Sequence, residues 1–262
     1  MDDFPIKPGM HGHGIRSGHP LGIGLEAFWP FAEGGGNTIR NVHGGFGTGV
    51  FYGDVAWVAT PFGPGLYFPG TDDWIDLDGA KGFADTDPHT YVAILYGGLG
   101  DWIFCNSHAT YYGTSFSTYG NKITFWSGDG SSLTSSATAL SATVWQMLSV
   151  TYNGDKADAA GVKFYRDGNA DGTGQAKAAG WGASNLTQSK RIGAWWNGGY
   201  DLGGTLGMLA SWSRALSASE IEWLYRDPWD IITHPTKVYL FYGALATVNR
   251  RRRVLICGRR RA

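Results

Sequence analysis

The sequence has 262 residues, a formal net charge of −1, 15% aromatic residues, 41 glycines and only 16% charged residues. Only four of its 22 acidic residues are glutamate, and this argues against an all-helical protein because straight-chain residues lead the helix propensity scale. The hydrophobic content of 43% excludes disorder along most of the chain, and the length fits a single β domain of roughly 200–250 residues.

The first 24 residues are rich in glycine and proline. This pattern predicts an extended arm with no core of its own, so that the globular part begins near Leu25 and folds without the arm. The N-terminus has no basic start followed by an apolar run, and no stretch approaches the ~20 apolar residues of a membrane span. We therefore expect synthesis in a cytoplasm and no membrane partner.

Short apolar runs alternate with turn residues from Leu25 onwards. Eleven strands are predicted, at 25–31, 65–69, 72–77, 90–96, 101–105, 110–118, 121–127, 143–152, 161–166, 190–196 and 204–213. The run 91–96 is apolar on both faces, as is typical of a central strand, whereas alternation in 121–127 places Ile123 and Phe125 on one face. Strands at this spacing, without interleaved helices, predict a sandwich or barrel and argue against a parallel α/β fold.

One helix is predicted near the C-terminus. Ser217 and Glu220 have the spacing of a capping box, in which each side chain bonds the backbone of the other residue. Ile221, Leu224 and Tyr225 then share one helix face. We expect this apolar face to pack on the sandwich.

Three segments carry a family resemblance: residues 65–77, 145–168 and 192–225. The last contains the most specific motif, an Arg-Ala-Leu-Ser sequence that starts at Arg214 and leads into the helix. Together they resemble the laminin-G-like domain of the concanavalin-A-like lectin fold over roughly residues 25–226. The resemblance implies an all-β, antiparallel jelly-roll β-sandwich with one short C-terminal helix. The chain then divides into an extended N-terminal arm (1–24), the lectin-like sandwich (25–229), and a C-terminal strand with a basic extension (230–262).

Two further motifs resemble small bacteriophage structural proteins that carry this domain. They are the Gly-His-Pro-Leu sequence at 18–21 and the Asp-Pro-Trp-Asp sequence at 227–230. This resemblance implies a non-enzymatic structural or decoration protein at the virion surface, with a lectin-like domain that can bind cell-surface polysaccharide. Two alternatives stay open: a free carbohydrate-binding protein, and a divergent glycoside hydrolase.

The arrangement of carboxylates argues against an enzyme. Glycoside hydrolysis needs two carboxylates that flank the bond, and sandwich hydrolases carry them in strings such as Glu-x-Asp-x-x-Glu, which this sequence lacks. Glu220 and Glu222 lie on the predicted helix, about 200° apart around its axis. We therefore expect no catalytic residues.

Two sets of acidic residues are candidate calcium ligands. Asp167, Asn169 and Asp171 match the first half of a calcium loop, D-x-[DN]-x-[DN]-G, but the twelfth position, where a bidentate glutamate belongs, is Ala178. A Gly/Asn/Asp hairpin turn explains the same residues and is the favoured interpretation. Asp72 and Asp73 form the second candidate, with a solvated turn as the alternative.

Aromatic residues around a glycine turn are the candidate sugar-binding residues. Large rings stack on the apolar faces of sugars, while Asn and Asp bond the hydroxyls. Alternation places Trp195 and Trp196 on opposite faces, so at least one of them is expected in the core. The candidates are Trp74, Trp195, Trp196, Asn197, Tyr200 and Asp201.

The C-terminal extension is strongly basic. Seven of the 21 basic residues lie in the last 13 positions, which leaves 14 basic against 22 acidic residues, a net charge of −8, in the rest of the chain. A strand is predicted at 237–242, and no aromatic residue follows it, which argues against a nucleic-acid-binding arm. A disordered, solvated end is one explanation, but the apolar residues that flank the arginines favour an extension that becomes ordered on an acidic partner, either another virion protein or a second copy of the chain. The arginines of this assembly arm are Arg250, Arg251, Arg252 and Arg253.

Overall fold

The computed structural model describes residues 4–8, 14–43, 47–77, 83, 86–106, 114–127, 131–134, 139–155, 161–173, 190–195 and 197–233. Within them the chain forms sixteen strands and one α-helix, α1 (Ala218–Arg226). The strands, in chain order, are β1 (Leu25–Trp29), β2 (Thr38–Ile39), β3 (Gly49–Tyr52), β4 (Ala56–Thr60), β5 (Gly63–Tyr67), β6 (Trp74–Leu77), β7 (His89–Gly97), β8 (Trp102–Cys105), β9 (Thr114–Ser117), β10 (Thr124–Ser127), β11 (Ser131–Thr134), β12 (Gln146–Tyr152), β13 (Val162–Arg166), β14 (Asn169–Thr173), β15 (Lys190–Ile192) and β16 (Gly204–Trp212).

The strands form two antiparallel sheets. Sheet I has the order β14-β13-β12-β7-β16-β5-β4, and β1 also pairs with β16. Sheet II has the order β11-β10-β9-β8-β15-β6-β3-β2. Strands that are neighbours in space are often distant in the chain, as expected of a jelly roll rather than a simple meander. The predicted antiparallel β-sandwich with one helix near the C-terminus is confirmed.

Apolar side chains of both sheets fill the space between them. Strand β7 lies between β12 and β16, and its residues 89–95 are buried on both faces, as predicted, whereas Tyr96 at the end of the predicted run 91–96 is 40% exposed. Ile123 and Phe125 are fully buried, as the alternation in that segment indicates. Burial of this many aromatic and aliphatic side chains is the main stabilising contribution to such a fold.

A second hydrophobic cluster covers the outer face of sheet I. Outward residues of sheet I, such as Val92 and Met208, pack there against Ile221 and Leu224 of α1. The helix begins with the predicted capping box: the Ser217 side chain accepts a bond from the Glu220 N–H, and the Ser217 N–H donates to the Glu220 carboxylate. The helix thus covers a sheet face that would otherwise lie in water.

Part of the predicted N-terminal arm also belongs to this cluster. Phe4 and Leu21 are buried, and the Trp229 Nε1 donates to the Pro5 carbonyl over 2.6 Å. The Lys7 ammonium donates to the Pro64 carbonyl, and burial lowers the pKa of Lys7 to about 7. The predicted N-terminal arm thus packs on the sandwich through residues 4–8 and 14–24, and folding of the sandwich without the arm stays a prediction. The predicted strand at 237–242 lies outside the described residues.

Candidate functional site

Strand alternation places two kinds of side chain on the two faces of sheet II. On β6, Ile75 and Leu77 point into the interior, whereas Trp74 and Asp76 point outward. Arg191 on β15 is the cross-strand neighbour of Asp76 and shares its outward face. Sheet II therefore carries polar and aromatic groups on the side away from the core.

A continuous series of rings runs across this outer face. Tyr52 stacks on Trp74 with centroids 5.3 Å apart and an interplanar angle of 11°. Arg191 connects the next ring: its guanidinium carbon lies 4.5 Å from the Trp74 centroid, and its Nη1 donates to the Trp195 carbonyl over 3.2 Å. An arginine on a ring face gains a cation–π attraction, which orders both side chains.

Three more rings continue the series from Trp195. Trp102 lies 4.0 Å from Trp195 and 5.2 Å from Trp126 between centroids, and Tyr119 contacts Trp126 edge-on at 5.6 Å. Tyr52 and Tyr119, at the two ends, are 46% and 48% exposed. We call these six side chains the aromatic row: Tyr52, Trp74, Trp195, Trp102, Trp126 and Tyr119.

A tight loop between β15 and β16 carries Trp195. The Gly198 N–H donates to the Trp195 carbonyl, and the Trp195 N–H donates to the Gly199 carbonyl. The Asn197 side chain accepts from the Gly199 N–H over 3.1 Å, so it shapes the turn. Tyr200 follows with a φ of +57°, a left-handed conformation that a tyrosine seldom adopts, and its side chain is 64% exposed.

Asp201 connects this loop to the turn before β6. Its Oδ2 accepts a bond from the Asp72 N–H over 2.6 Å, and Asp72 also has a left-handed φ of +56°. The Oδ1 of Asp201 is buried without a hydrogen-bond partner. Burial therefore raises the pKa of the Asp201 carboxyl. Two strained residues, Asp72 and Tyr200, thus flank the row, and such strain is often found at binding sites.

Asp73 organises the same turn from within. It is 1% exposed; its Oδ1 accepts from the Asp54 N–H, and its Oδ2 accepts from the N–H groups of Gly70 and Thr71. A carboxylate that accepts three backbone bonds fixes the path of the chain. Asp73 therefore stabilises the turn that precedes Trp74.

The other predicted calcium ligands lie on sheet I, in the β13–β14 hairpin. Asp167 and Gly168 form its two-residue turn, with φ of +54° and +77°. The Asp167 Oδ1 accepts from the Met147 N–H over 2.8 Å, and the Asp171 carboxylate lies 3.8 Å from Arg166. The part of the chain that the structure describes contains no group of three or more His, Cys, Asp or Glu side chains placed to hold a metal. Calcium binding stays a prediction.

The structure brings together five of the six predicted sugar-binding residues. Trp74, Trp195, Asn197, Tyr200 and Asp201 all lie on or beside the aromatic row, and Trp196 and the arginines at 250–253 lie outside the described residues. Sequence reasoning missed the rest of the row, namely Tyr52, Trp102, Trp126, Tyr119 and the bridging Arg191. The alternation of Trp126 with Phe125 was the available signal for one of them.

The sandwich and its aromatic outer face define a lectin-like class of protein. A family model described as the concanavalin A-like lectin/glucanases superfamily (Laminin_G_3) matches residues 70–222. The chain belongs to this family. No curated protein sequence matches it significantly. Among the described residues, no helix has the length and apolar character needed to cross a membrane.

Solved structures share the fold at low sequence identity. Domain 4 of AbnA, a GH43 extracellular arabinanase from Geobacillus stearothermophilus in complex with arabinotriose, has a TM-score of 0.59 and 16% identity, with 77% of this chain and 98% of that domain covered. A second structure is that of botulinum neurotoxin type C, a toxin described as entering cells through interaction with two ganglioside molecules. It has a TM-score of 0.55 and 12% sequence identity, and the match covers 77% of this chain and 50% of the neurotoxin chain. Trypanosoma rangeli sialidase in complex with sialic acid has a TM-score of 0.54 and 17% sequence identity, and the match covers 79% of this chain and 33% of the sialidase chain. This chain thus spans nearly all of the arabinanase domain but half or less of the other two chains.

Proposed function

We propose that this chain is a non-enzymatic carbohydrate-binding protein whose glycan lies along the aromatic row of sheet II. The observation that carries the proposal is the row itself: six rings in sequence, with exposed tyrosines at both ends. A folded protein buries most of its large rings in cores or uses them at binding surfaces. Trp102 is buried at 3% exposure, and the more exposed rings on either side of it offer apolar faces on which sugar units can stack.

Polar groups beside the row supply the second half of sugar recognition. Asp76 lies on the outward face of β6 beside Trp74, and the exposed Tyr200 follows the tight turn that carries Trp195. Carboxylates accept hydrogen bonds from sugar hydroxyls, and tyrosine both donates and accepts. The similar arabinanase domain and neurotoxin are described with an arabinose trisaccharide and with gangliosides, and this supports a glycan as the ligand here.

The proposal of a non-enzymatic role rests on the carboxylates. Asp201 lies near the row, but its Oδ2 bonds the Asp72 N–H, and Asp73 is committed to three backbone bonds. The sequence also lacks the carboxylate string of sandwich hydrolases. We expect no release of reducing ends from any polysaccharide that the protein binds, and measurable release would favour the glycoside hydrolase alternative.

A matched set of substitutions tests the binding face. Trp74→Ala and Tyr200→Ala should each weaken retention on a bound polysaccharide by up to about tenfold, because one stacking contact of roughly 0.5–1.5 kcal/mol is lost. The control is Tyr67→Ala, which also removes a partly exposed tyrosine ring, but from the outer face of sheet I; Tyr67 is 42% exposed. Affinity electrophoresis in polysaccharide gels measures all three. Equal retention of all variants would contradict the proposed face.

We propose further that the protein is a structural or decoration component of a bacteriophage particle. The support is the resemblance of the motifs at 18–21 and 227–230 to small phage proteins, and the basic sequence at 250–253. Mass spectrometry of purified particles tests the location. Replacing Arg250, Arg251, Arg252 and Arg253 with Glu should reduce incorporation into particles. Full incorporation of that variant would favour the free carbohydrate-binding protein.

A further inference from the structure

The segment of residues 4–8 lies in an aromatic groove on the outer side of sheet I. Its sequence is Phe-Pro-Ile-Lys-Pro, and each of the two prolines fixes its own φ and restricts the preceding residue to extended conformations. Binding therefore costs this segment little backbone entropy. Residues 5–8 belong to no helix or strand of the described structure, as is typical of proline-containing peptides that bind aromatic grooves.

Three aromatic residues of the groove contact the first half of the segment. The Trp229 Nε1 donates to the Pro5 carbonyl over 2.6 Å. The Phe4 ring lies edge-on to Phe62 and Tyr225, with centroids 5.8 and 5.6 Å apart. Rings of this kind provide the apolar surface on which a proline-containing segment packs, and the indole N–H adds a directed bond to its backbone.

Lys7 makes the contacts that select for a cationic side chain. Its ammonium donates to the Pro64 carbonyl, and it lies 5.2 Å from the Phe62 ring centroid and 5.5 Å from the Trp229 ring. The Lys7 backbone N–H donates to the Phe62 carbonyl over 2.8 Å. A Cβ at Gly63 would lie 3.4 Å from the Lys7 Cβ and Cδ, so this glycine leaves room for the lysine stem. The groove thus fits a lysine two residues after a proline.

None of these contacts requires the segment and the groove to belong to one molecule. The groove residues, at 62–64 and 225–229, are distant from the segment in the sequence. The sequence from Pro8 to Gly14 contains three glycines, the residues with the fewest restrictions on the backbone. Residues 4–8 of a second copy can therefore make the same contacts, which is the basis of segment exchange between protomers.

We propose that this groove is a peptide-binding site for Phe-Pro-x-Lys-Pro segments, and that copies of the chain associate by placing residues 4–8 of one copy in the groove of another. The exchange is independent of the proposed glycan-binding function, because the aromatic row lies on sheet II. A segment on a short flexible connection competes for its own groove at a roughly millimolar effective concentration. Exchange is therefore favoured where copies are held close together.

A synthetic peptide of residues 1–10 tests the groove. The full chain with both Phe4→Ala and Lys7→Ala keeps the groove, but its own segment competes poorly. We therefore expect this double variant to bind the peptide at least about tenfold more tightly than the wild-type chain does, as measured by isothermal titration calorimetry. A peptide with the same two changes should not bind. An Ile6→Ala peptide should bind normally, because Ile6 is 78% exposed.

Two complementary variants test the exchange between copies. The double variant has an intact groove, whereas Trp229→Phe has an intact segment and a groove that lacks the indole donor. When the two are mixed, we expect more dimer that contains one copy of each than dimer of either variant alone, as measured by native mass spectrometry. Ile6→Ala in place of the double variant is the matched control. It should reduce the mixed dimer, because its own segment keeps both anchors.

A measurement on the wild-type chain applies even if the double variant does not fold. The same peptide with a nitroxide at its C-terminus should broaden the indole N–H resonance of Trp229 once it reaches millimolar concentration and displaces the chain's own segment. The Trp229→Phe spectrum assigns this resonance. An unaffected resonance, no binding of the peptide to the folded double variant, or no mixed dimer would each overturn the proposal. None of these results would alter retention on polysaccharides.

Discussion

His89 is fully buried at the start of β7, where its ring lies among four aromatic side chains. It stacks on Phe83 with centroids 4.8 Å apart and an interplanar angle of 3°, and its Nδ1 lies 2.7 Å from the Asp87 carbonyl. Its Nε2 has no hydrogen-bond partner. Because burial penalises the charged ring, the pKa of His89 falls to about 4.

This shift predicts a loss of stability in mild acid. The unfolded chain takes up a proton on this histidine near its ordinary pKa of 6.5, whereas the folded chain does not until about 4. The contribution is therefore complete above pH 6.5 and is lost as the pH falls to about 4, with an upper limit of about 3 kcal/mol. Urea denaturation at pH 7 and pH 5 measures it. His89→Phe keeps the ring and should flatten this part of the pH profile, and an unchanged profile would contradict the assignment.

The helix α1 is the element that seals the outer face of sheet I. Its capping box satisfies backbone N–H groups at its start, and Ile221 and Leu224 anchor it in the second cluster. Ser217→Ala should lower the free energy of unfolding by ~1 kcal/mol through the lost cap. Leu224→Ala should lower it by ~2–5 kcal/mol because a buried side chain leaves a cavity. Denaturant titration compares them, with exposed Glu222→Ala as control. Equal, negligible effects would mean that α1 does not pack as described.

The β13–β14 hairpin allows a direct test for calcium. Because the Asp167 carboxylate already bonds the Met147 N–H and Asp171 lies beside Arg166, we expect the same Tm in EGTA and in CaCl2. Asp171→Asn provides the comparison. A rise in Tm with calcium that this variant abolishes would establish an ion at the hairpin instead.

Strands with clear alternation or long apolar runs were predictable, and strands built from turn residues were not. The central β7, β12 and β16 match the predicted runs closely. Strand β14 has the sequence Asn-Ala-Asp-Gly-Thr, which on its own indicates a turn; it becomes a strand only because the Asp167-Gly168 turn pairs it with β13. Strands β2, β3 and β4 were likewise missed: β2 has only two residues, β3 is held by pairing with the distant β6, and β4 is a half-exposed strand in a tight hairpin with β5.

The same limit applies to the candidate site. Clustered aromatics around 195–201 could be found from sequence because they are adjacent in the chain. Trp102 could not be assigned to the row, since its outward position depends on a register shift between Trp102 and Phe104 in the β8–β9 pairing. Non-local pairing of this kind leaves no local pattern.

On the scale of the whole molecule, the fold has two hydrophobic layers, one between the sheets and one outside sheet I. The N-terminal residues contribute to the second layer through Phe4, which contacts Phe62 and Tyr225 edge-on. Deleting residues 1–24, or the single change Phe4→Ala, should therefore lower the melting temperature, by several degrees for the substitution, because a buried ring is lost. Differential scanning calorimetry measures this, and Ile6→Ala, an exposed neighbour, is the control. A deletion that melts like the full chain would show that the packing of these residues is not needed.

The segments around residues 14–16 and 231–233 run side by side. The Arg16 N–H donates to the Ile231 carbonyl and the Thr233 N–H donates to the Gly14 carbonyl, on the sheet I side of the sandwich. The aromatic row lies on the opposite side. A partner or support attached through these segments would thus contact the domain on the sheet I side, and the aromatic row on sheet II would face away from it. Copies fixed in this way on a common support would present parallel rows to one long polysaccharide, so that weak single contacts add up to avidity.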